Sequence, residues 1–343
     1  MIDLRSDTVT MPGQAMREAI ATAEVGDDVL GEDPTVNLLQ EKMASLLAKG
    51  AGLFVPSGTM ANQVAIKTHI QPGDEILIDQ DAHIYYYECA ATAVIAGGQF
   101  QCLKGDNGIL SPETIAAAIR PPDIHQPPSR LLCLENTHNR GGGTIYTVER
   151  TTAITKLVSN QAMKVHLDGA RLFNAALAAG ATVKELAGGV DSVSICFSKG
   201  LGAPVGSVLC GSADFIAEAR RFRKMFGGGM RQVGILAAAC LYALDHHVER
   251  LEEDHENARR LALELAHMDG IQIEPEQVVT NIVIFDVAGT GLDADSFADD
   301  LATEGVLMIP FGPTTVRAVT HMDVSTADID KALEIIHRFL KKV

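Results

Sequence analysis

No two cysteines stand in a CxxC spacing anywhere in this 343-residue chain. The six present, Cys89, Cys102, Cys133, Cys196, Cys210 and Cys240, are single and mostly lie inside apolar segments. That excludes a thiolate metal knuckle or a disulfide framework, and no metal is expected. The thiols read as reduced, buried, small hydrophobes of a cytoplasmic protein. The longest apolar run, Ile235 to Leu241, is far too short to cross a bilayer. The opening Met1 to Pro12 has no charged segment leading into an apolar one, so no signal peptide is expected. Basic residues are scarce, 28 Lys and Arg against 44 Asp and Glu, for a net charge of -16. An acidic surface repels nucleic acid and anionic lipid, so neither is an expected partner. The basic cluster Arg220 to Lys224 then needs a local reason. No GxGxxG and no Walker lysine occur, which argues against a dinucleotide or a nucleoside triphosphate. Internal repeats and low-complexity stretches are also missing.

What is present suits a globular enzyme: 47% hydrophobic and 21% charged residues, enough chain for a large domain and a smaller one. The organising stretch is Asp191 to Gly206. Its apolar run Val193 to Phe197 reads as a buried strand that delivers Ser198-Lys199-Gly200 to a cavity, and a Gly/Pro-rich turn follows. A lysine among close-packed glycines at a strand end is what a Schiff-base site needs. A second strand, from Lys164, ends in Asp168-Gly169-Ala170-Arg171. A strand–helix–strand unit would bring Asp168 and Lys199 to one sheet edge. Pyridoxal phosphate enzymes need this pair: a lysine for the aldehyde and a carboxylate for the ring nitrogen.

Along the chain, Arg5 to Thr8 form a polar arm, a helical pattern covers Ala15 to Ala23, and an acidic turn-rich loop spans Gly26 to Pro34. Thr35 is the expected cap of a helix reaching about Lys49. Strand Leu53 to Val55 runs through Pro56 to Asn62 into a helix ending near Ile70. The small residues at this junction expose backbone N–H groups to a single phosphate. Strand Glu75 to Asp79 ends at Asp81-Ala82-His83, and a helix is expected from Tyr85 to about Ala96. His83 could stack on a cofactor ring. Strand Gln99 to Leu103, helix Pro112 to Ile119, a proline-rich loop holding His125, and strand Arg130 to Leu134 leading to Asn136 follow. Strand and helix alternate from about residue 53 to about residue 210, which predicts an α/β domain with a mostly parallel sheet flanked by helices. Its ligands collect at strand C-terminal ends. Three glycines, Gly227 to Gly229, precede one long helix expected over Val233 to Met268. Strands Ile271 to Ile273, Asn281 to Val287, Val306 to Ile309 and Val316 to Thr320, with helices Ala294 to Thr303 and Thr326 to Lys341, predict a smaller α+β unit. The expected domains are 1–249 and 250–343.

With these residues in view, the sequence resembles the L-threonine aldolases of low-specificity type, pyridoxal phosphate enzymes of fold type I. The motifs that carry this are RSDTVT (5–10), GDDV-GEDPT (26–35), PSGTMAN (56–62), HIYYYE (83–88), LENTHN (134–139), HLDGAR (166–171), SKGLGAPVG (198–206), GGGMRQ (227–232) and VRAVTH (316–321). The resemblance implies reversible cleavage of L-threonine or L-allo-threonine to glycine and acetaldehyde. It also implies a homotetramer, a dimer of dimers with shared sites. Lys199 would carry the cofactor. Gly58, Thr59 and Arg231 of a neighbouring subunit would hold its phosphate, His83 would stack on its ring, Asp168 would meet the ring nitrogen, and Arg171 would approach O3′. Ser6 and Arg317, with Arg171 helping, would fix the substrate carboxylate and so select the bond that breaks. The base for the β-hydroxyl is to be found among His83, His125 and Glu88; His83 is favoured, with His125 orienting the hydroxyl. Where family members commonly have a tyrosine, this chain has Leu30. A β-eliminating lyase or an aminotransferase would share Lys199, Asp168 and the phosphate loop, but not the whole motif set.

Overall fold

The computed structural model describes residues 1–342. Its centre is a seven-stranded sheet in the order Ala51–Val55, Ser207–Gly211, Ser192–Cys196, Lys164–Gly169, Ser129–Glu135, Glu75–Asp79, Gln99–Leu103. Six strands run the same way, and Ser207–Gly211 runs against both neighbours. The five strands from Ser192–Cys196 to Gln99–Leu103 form parallel ladders. Such strands are covered on both faces, so they read as apolar runs; Glu75–Asp79 and Ser192–Cys196 are buried at every position. Helices Gly58–His69 and Ala213–Met225 pack together on the sheet, and Val148–Ser159 and Leu172–Ala179 contribute to the main core. No described helix is long and apolar enough to cross a membrane.

A second core forms between helices Leu251–Leu265, Ala294–Thr303 and Thr326–Leu340 and a three-stranded antiparallel sheet. That sheet has the order Ile309–Pro310, Thr315–Val319, Ile282–Asp286. The amino-terminal strand belongs to this core. Ile2–Asp3 pairs in parallel with Val306–Leu307, and Ile2 and Leu4 are buried in the second core.

Several elements depart from the sequence expectation, each for a local reason. The single helix expected over 233–268 is two, Gly234–His246 and Leu251–Leu265. The first buries its apolar face in the main core. The second turns Ala258, Leu261 and Leu265 to the other core, and one straight axis cannot serve both. Asp33, not Thr35, caps helix Pro34–Leu46, accepting from Val36 N–H at 3.0 Å. The helix expected over 85–96 is one short piece, His83–Tyr86, then a π-helical turn, Thr92–Ala96. Cys89 and Ala90 between them have φ of +52° and +56°, and Glu88 is turned inward instead of following the helix surface. The expected strand 271–273 is a single bridge from Gln272 to Asp286. The expected strand 306–309 splits, one half pairing with the amino terminus and the other with Thr315–Val319.

Candidate active site

Strand Ser192–Cys196 ends against a turn closed by backbone bonds from Phe197 N–H to Gly206 C=O (3.0 Å) and from Gly202 N–H to Lys199 C=O (2.8 Å). Thr10 Oγ1 donates to the same Lys199 carbonyl at 3.1 Å, so the amino-terminal arm clamps the lysine turn. Gly206 has φ +117°, and a Cβ there would stand 2.8 Å from the Phe54 ring, so only glycine fits. Lys199, half-buried, opens into a cavity of about 400 Å³ shared with Ser6, His83, Arg171 and Arg317. Four residues proposed from sequence for catalysis or substrate binding thus meet Lys199 in one pocket. Tyr87, Asn139, Arg140 and Phe311 also line it and were not singled out from sequence.

The electrostatics of the pocket are set by buried cations. Arg171 donates from Nε and Nη2 to the two oxygens of Asp7, both at 2.7 Å. Burial would raise the Asp7 carboxyl, but the Arg171 guanidinium outweighs it and holds Asp7 well below the usual carboxylate range. Arg317 has no such anion. It donates to Asn139 Oδ1 (2.9 Å) and to Arg5 C=O (3.1 Å), and its Nε is buried with no partner. Burial, then the charge of Arg171, pushes Arg317 down to about 10. It lies over the Phe311 ring at 4.8 Å, with Arg140 on the same ring at 4.7 Å. A guanidinium with neutral hydrogen-bond partners but no anion, in a pocket wall, is a site for a carboxylate.

Around His83 and Asp168, one ring nitrogen and two carboxylate oxygens, counting Glu88, lie within 4.8 Å of one another. Glu88 is 2% exposed and fully engaged. It accepts from Asn62 Nδ2 (2.9 Å) and Gln63 Nε2 (2.5 Å) and faces His83 Nδ1 at 3.1 Å. Burial lowers His83, but the Glu88 hydrogen bond and the Asp168 and Glu88 charges prevail, and its pKa is raised above the ordinary 6.5. Glu88 therefore orients His83 rather than standing free in the pocket.

The groups of a pyridoxal phosphate site fit this arrangement. Asp168, 3% exposed, accepts from Ala170 N–H (3.1 Å) and Asn62 Nδ2 (2.8 Å), but forms no ion pair among the described residues. A cationic ring nitrogen is the partner such a carboxylate lacks. Ser57 caps helix Gly58–His69, leaving Thr59 exposed in its first turn. A Cβ at Gly58 would meet nothing closer than Ser207 Oγ at 3.8 Å, and that hydroxyl is buried without a partner. This is room with donors, which a phosphate group requires.

Two residues named from sequence lie elsewhere in their own protomer. His125 is exposed, bound to Asp123 at 3.0 Å, on the loop that precedes strand Ser129–Glu135. The active site gathers at the opposite, C-terminal end of that seven-residue strand, about 20 Å away at ~3.3 Å per residue. Arg231 is 57% exposed and pairs with Asp27 at 2.9 Å, outside the pocket. Leu30 is 68% exposed in the turn after Asp27. Sequence reasoning missed Asp7 and Asn62. Both sit inside quoted motifs, yet their partners lie 164 and 106 residues away.

Residues 3–288 match the family described as beta-eliminating lyase. The chain is 44% identical to low-specificity L-threonine aldolase 1 of Arabidopsis thaliana, covering 97% of this chain and 94% of that one. It is 43% identical to the low specificity L-threonine aldolase of Escherichia coli (strain K12), over the whole of both chains. Its fold is that of a putative L-allo-threonine aldolase from Listeria monocytogenes EGD-E, with a TM-score of 0.82, 23% identity, and coverage of 99% of this chain and 96% of the other. A lysine and a buried carboxylate without an ion-pair partner, at the C-terminal ends of neighbouring strands, thus occur in a chain that belongs to the low-specificity L-threonine aldolase family.

Proposed function

We propose that this protein cleaves L-threonine and L-allo-threonine, and related β-hydroxy-α-amino acids, reversibly to glycine and the corresponding aldehyde. The observation that carries the reading is the pocket itself: Lys199 faces His83 and two guanidiniums, Arg171 already paired and Arg317 not. The Lys199 amine would hold pyridoxal phosphate, which when bound would supply an electron sink for a pair released at the substrate Cα. Asp168 would meet the ring nitrogen, Thr59 and Gly58 would receive the phosphate, and His83 would cover the ring.

The chain's own residues then decide which bond breaks. Arg317 and Ser6 hold the substrate carboxylate, with the remaining N–H of Arg171 beside them. A carboxylate fixed at that wall would set the rotation about the substrate's N–Cα bond and so favour cleavage of Cα–Cβ over Cα–H. His83 Nε2 takes the proton of the β-hydroxyl, and Glu88 on the other ring nitrogen stabilises the cation so formed. His125 and Arg231, both outside the pocket of their own protomer, are read as serving the site of a neighbouring copy in a dimer of dimers. Buried thiols at Cys133, Cys196, Cys210 and Cys240 support a reducing, cytoplasmic location.

The test is to add L-allo-threonine to the yellow holoenzyme and assay acetaldehyde and glycine. Both in equal amounts are expected, and Lys199→Ala abolishes both. Ammonia and a 2-keto acid in place of acetaldehyde would overturn the reading in favour of β-elimination.

A further inference from the structure

Behind Asp168 lies a line of hydrogen bonds whose direction is fixed. Asn62 Nδ2 faces two carboxylates, Glu88 Oε1 (2.9 Å) and Asp168 Oδ2 (2.8 Å), so it is the amide nitrogen and Oδ1 is the acceptor. Oδ1 then receives Ser194 Oγ–H (3.0 Å) and His166 Nε2–H (3.0 Å). His166 is fully buried. Burial holds it neutral, its pKa pushed down to about 4, so a proton on Nε2 leaves Nδ1 bare. Nδ1 must accept from Ser192 Oγ at 2.9 Å. Ser192, having one proton, must in turn accept from His69 Nε2–H at 2.8 Å. His69 is also neutral, pushed down to about 3 by burial and then by His166, and it is stacked on Phe215 at 4.5 Å. Each donor in the line points toward Asp168, and the groups come from helix Gly58–His69 and strands Lys164–Gly169 and Ser192–Cys196.

We infer that Asn62, His166, Ser192 and His69 are positioning residues: a one-way relay of donors that holds Asp168 as an oriented anion for the cofactor's ring nitrogen. Aligned dipoles in a dry interior reinforce one another. Their positive ends all face the carboxylate, which favours its charged form and so favours a proton on the ring nitrogen. His166, Ser192 and His69 do not line the pocket; His166 and Ser192 face each other across neighbouring strands. Their side chains do electrostatic work that packing alone would leave to leucine or alanine. The inference rests on the reading of Asp168 as the ring nitrogen's partner.

The experiment has two readouts besides activity. In the cofactor-free protein with 15N-labelled histidine, His166 and His69 are expected neutral at pH 7, with the proton on Nε2 of both. A proton on His166 Nδ1, or a doubly protonated ring, would overturn the relay. In holoenzyme carrying 15N-labelled pyridoxal phosphate, His166→Leu is expected to move the ring-nitrogen resonance toward unprotonated pyridine and to weaken cofactor binding about tenfold, the order found for groups that orient a ligand from behind. His166→Gln, whose amide keeps an N–H toward Asn62, recovers most of both. Ser192→Ala breaks the line at a smaller residue and covers the case in which His166→Leu does not fold; it is expected to move the same resonance in the same direction. Native resonance and native affinity in a folded His166→Leu or Ser192→Ala protein would sink the relay. Asp168→Asn separates the two layers: if it too leaves the ring nitrogen unmoved, the assignment of Asp168 fails, and the relay with it.

Discussion

Asp7 shows how much one buried pair can carry. Its carboxylate neutralises Arg171, accepts from Asn281 Nδ2 at 3.2 Å and anchors the amino-terminal arm beneath the pocket. Removing one partner of such a pair leaves a buried charge without compensation, which costs about 3–5 kcal/mol. Asp7→Asn is therefore expected to lower unfolding stability by that order in urea titration at pH 7, while Thr8→Ala, at the exposed neighbour, changes little. The sign of the pH effect follows from the depressed carboxyl. The pair's contribution is present above the ordinary 3.8 and is lost as pH falls below it toward the lower folded value. His83 has the opposite sign. Its raised pKa means that the stability from the Glu88 bond is present below 6.5 and lost as pH rises through the folded value. Activity runs the other way, since a base must be unprotonated. The kcat/KM for L-allo-threonine is expected to rise across that window, and His83→Asn to lose about a hundredfold in kcat and flatten the profile. A variant that keeps most of its kcat would remove His83 as the base. Lys199, Asp168 and His83 were legible because each ends an apolar run. Asp7 and Asn62 were not, because a lone Asp or Asn says nothing until its distant partner is placed.

At the scale of elements, the lysine turn depends on close approach rather than on side chains. Gly206 N–H reaches Pro56 C=O at 3.2 Å, which ties the turn after Lys199 to the turn before helix Gly58–His69. Gly206→Ala meets both an unfavourable φ and the Phe54 ring, and a loss of about 1–3 kcal/mol is expected by thermal unfolding. Because the two turns share that bond, cofactor affinity should fall with it, read as a raised dissociation constant in fluorescence titration. Strands Glu75–Asp79 and Gln99–Leu103 and helix Ala294–Thr303 have the bounds their patterns predict, since periodicity and flanking turns agree there. The break at His247 to Arg250 has no glycine or proline to announce it. It arises from two cores that face different ways, and His247 Nδ1 meets the Leu201 carbonyl at 2.8 Å across the bend. Local sequence carries no record of that geometry.

For the whole molecule, the pocket is built by both cores and by the arm between them: Lys199, Arg171 and His83 from the sheet, Arg317 and Phe311 from the smaller unit, and Ser6 from the arm. If Arg231 completes a neighbour's site, two inactive variants should rescue each other. Lys199→Ala and Arg231→Ala, each impaired alone, are expected to regain about a quarter of wild-type activity when refolded together, since half the dimers are mixed and each mixed dimer has one intact site. No recovery would confine Arg231 to its own protomer or leave it without a role.

The parallel pairing of Ile2–Asp3 with Val306–Leu307 has a consequence for the order of assembly. During synthesis the arm emerges early, while the strand that receives it is made long afterwards. Ser6, Asp7 and Thr10 hang from that arm, so until translation has passed residue 307 the arm is held to the lysine turn by the Asp7–Arg171 pair without its own strand. A ribosome stalled before that point would display a sheet with Lys199 and Asp168 in place, and a substrate pocket open on one side.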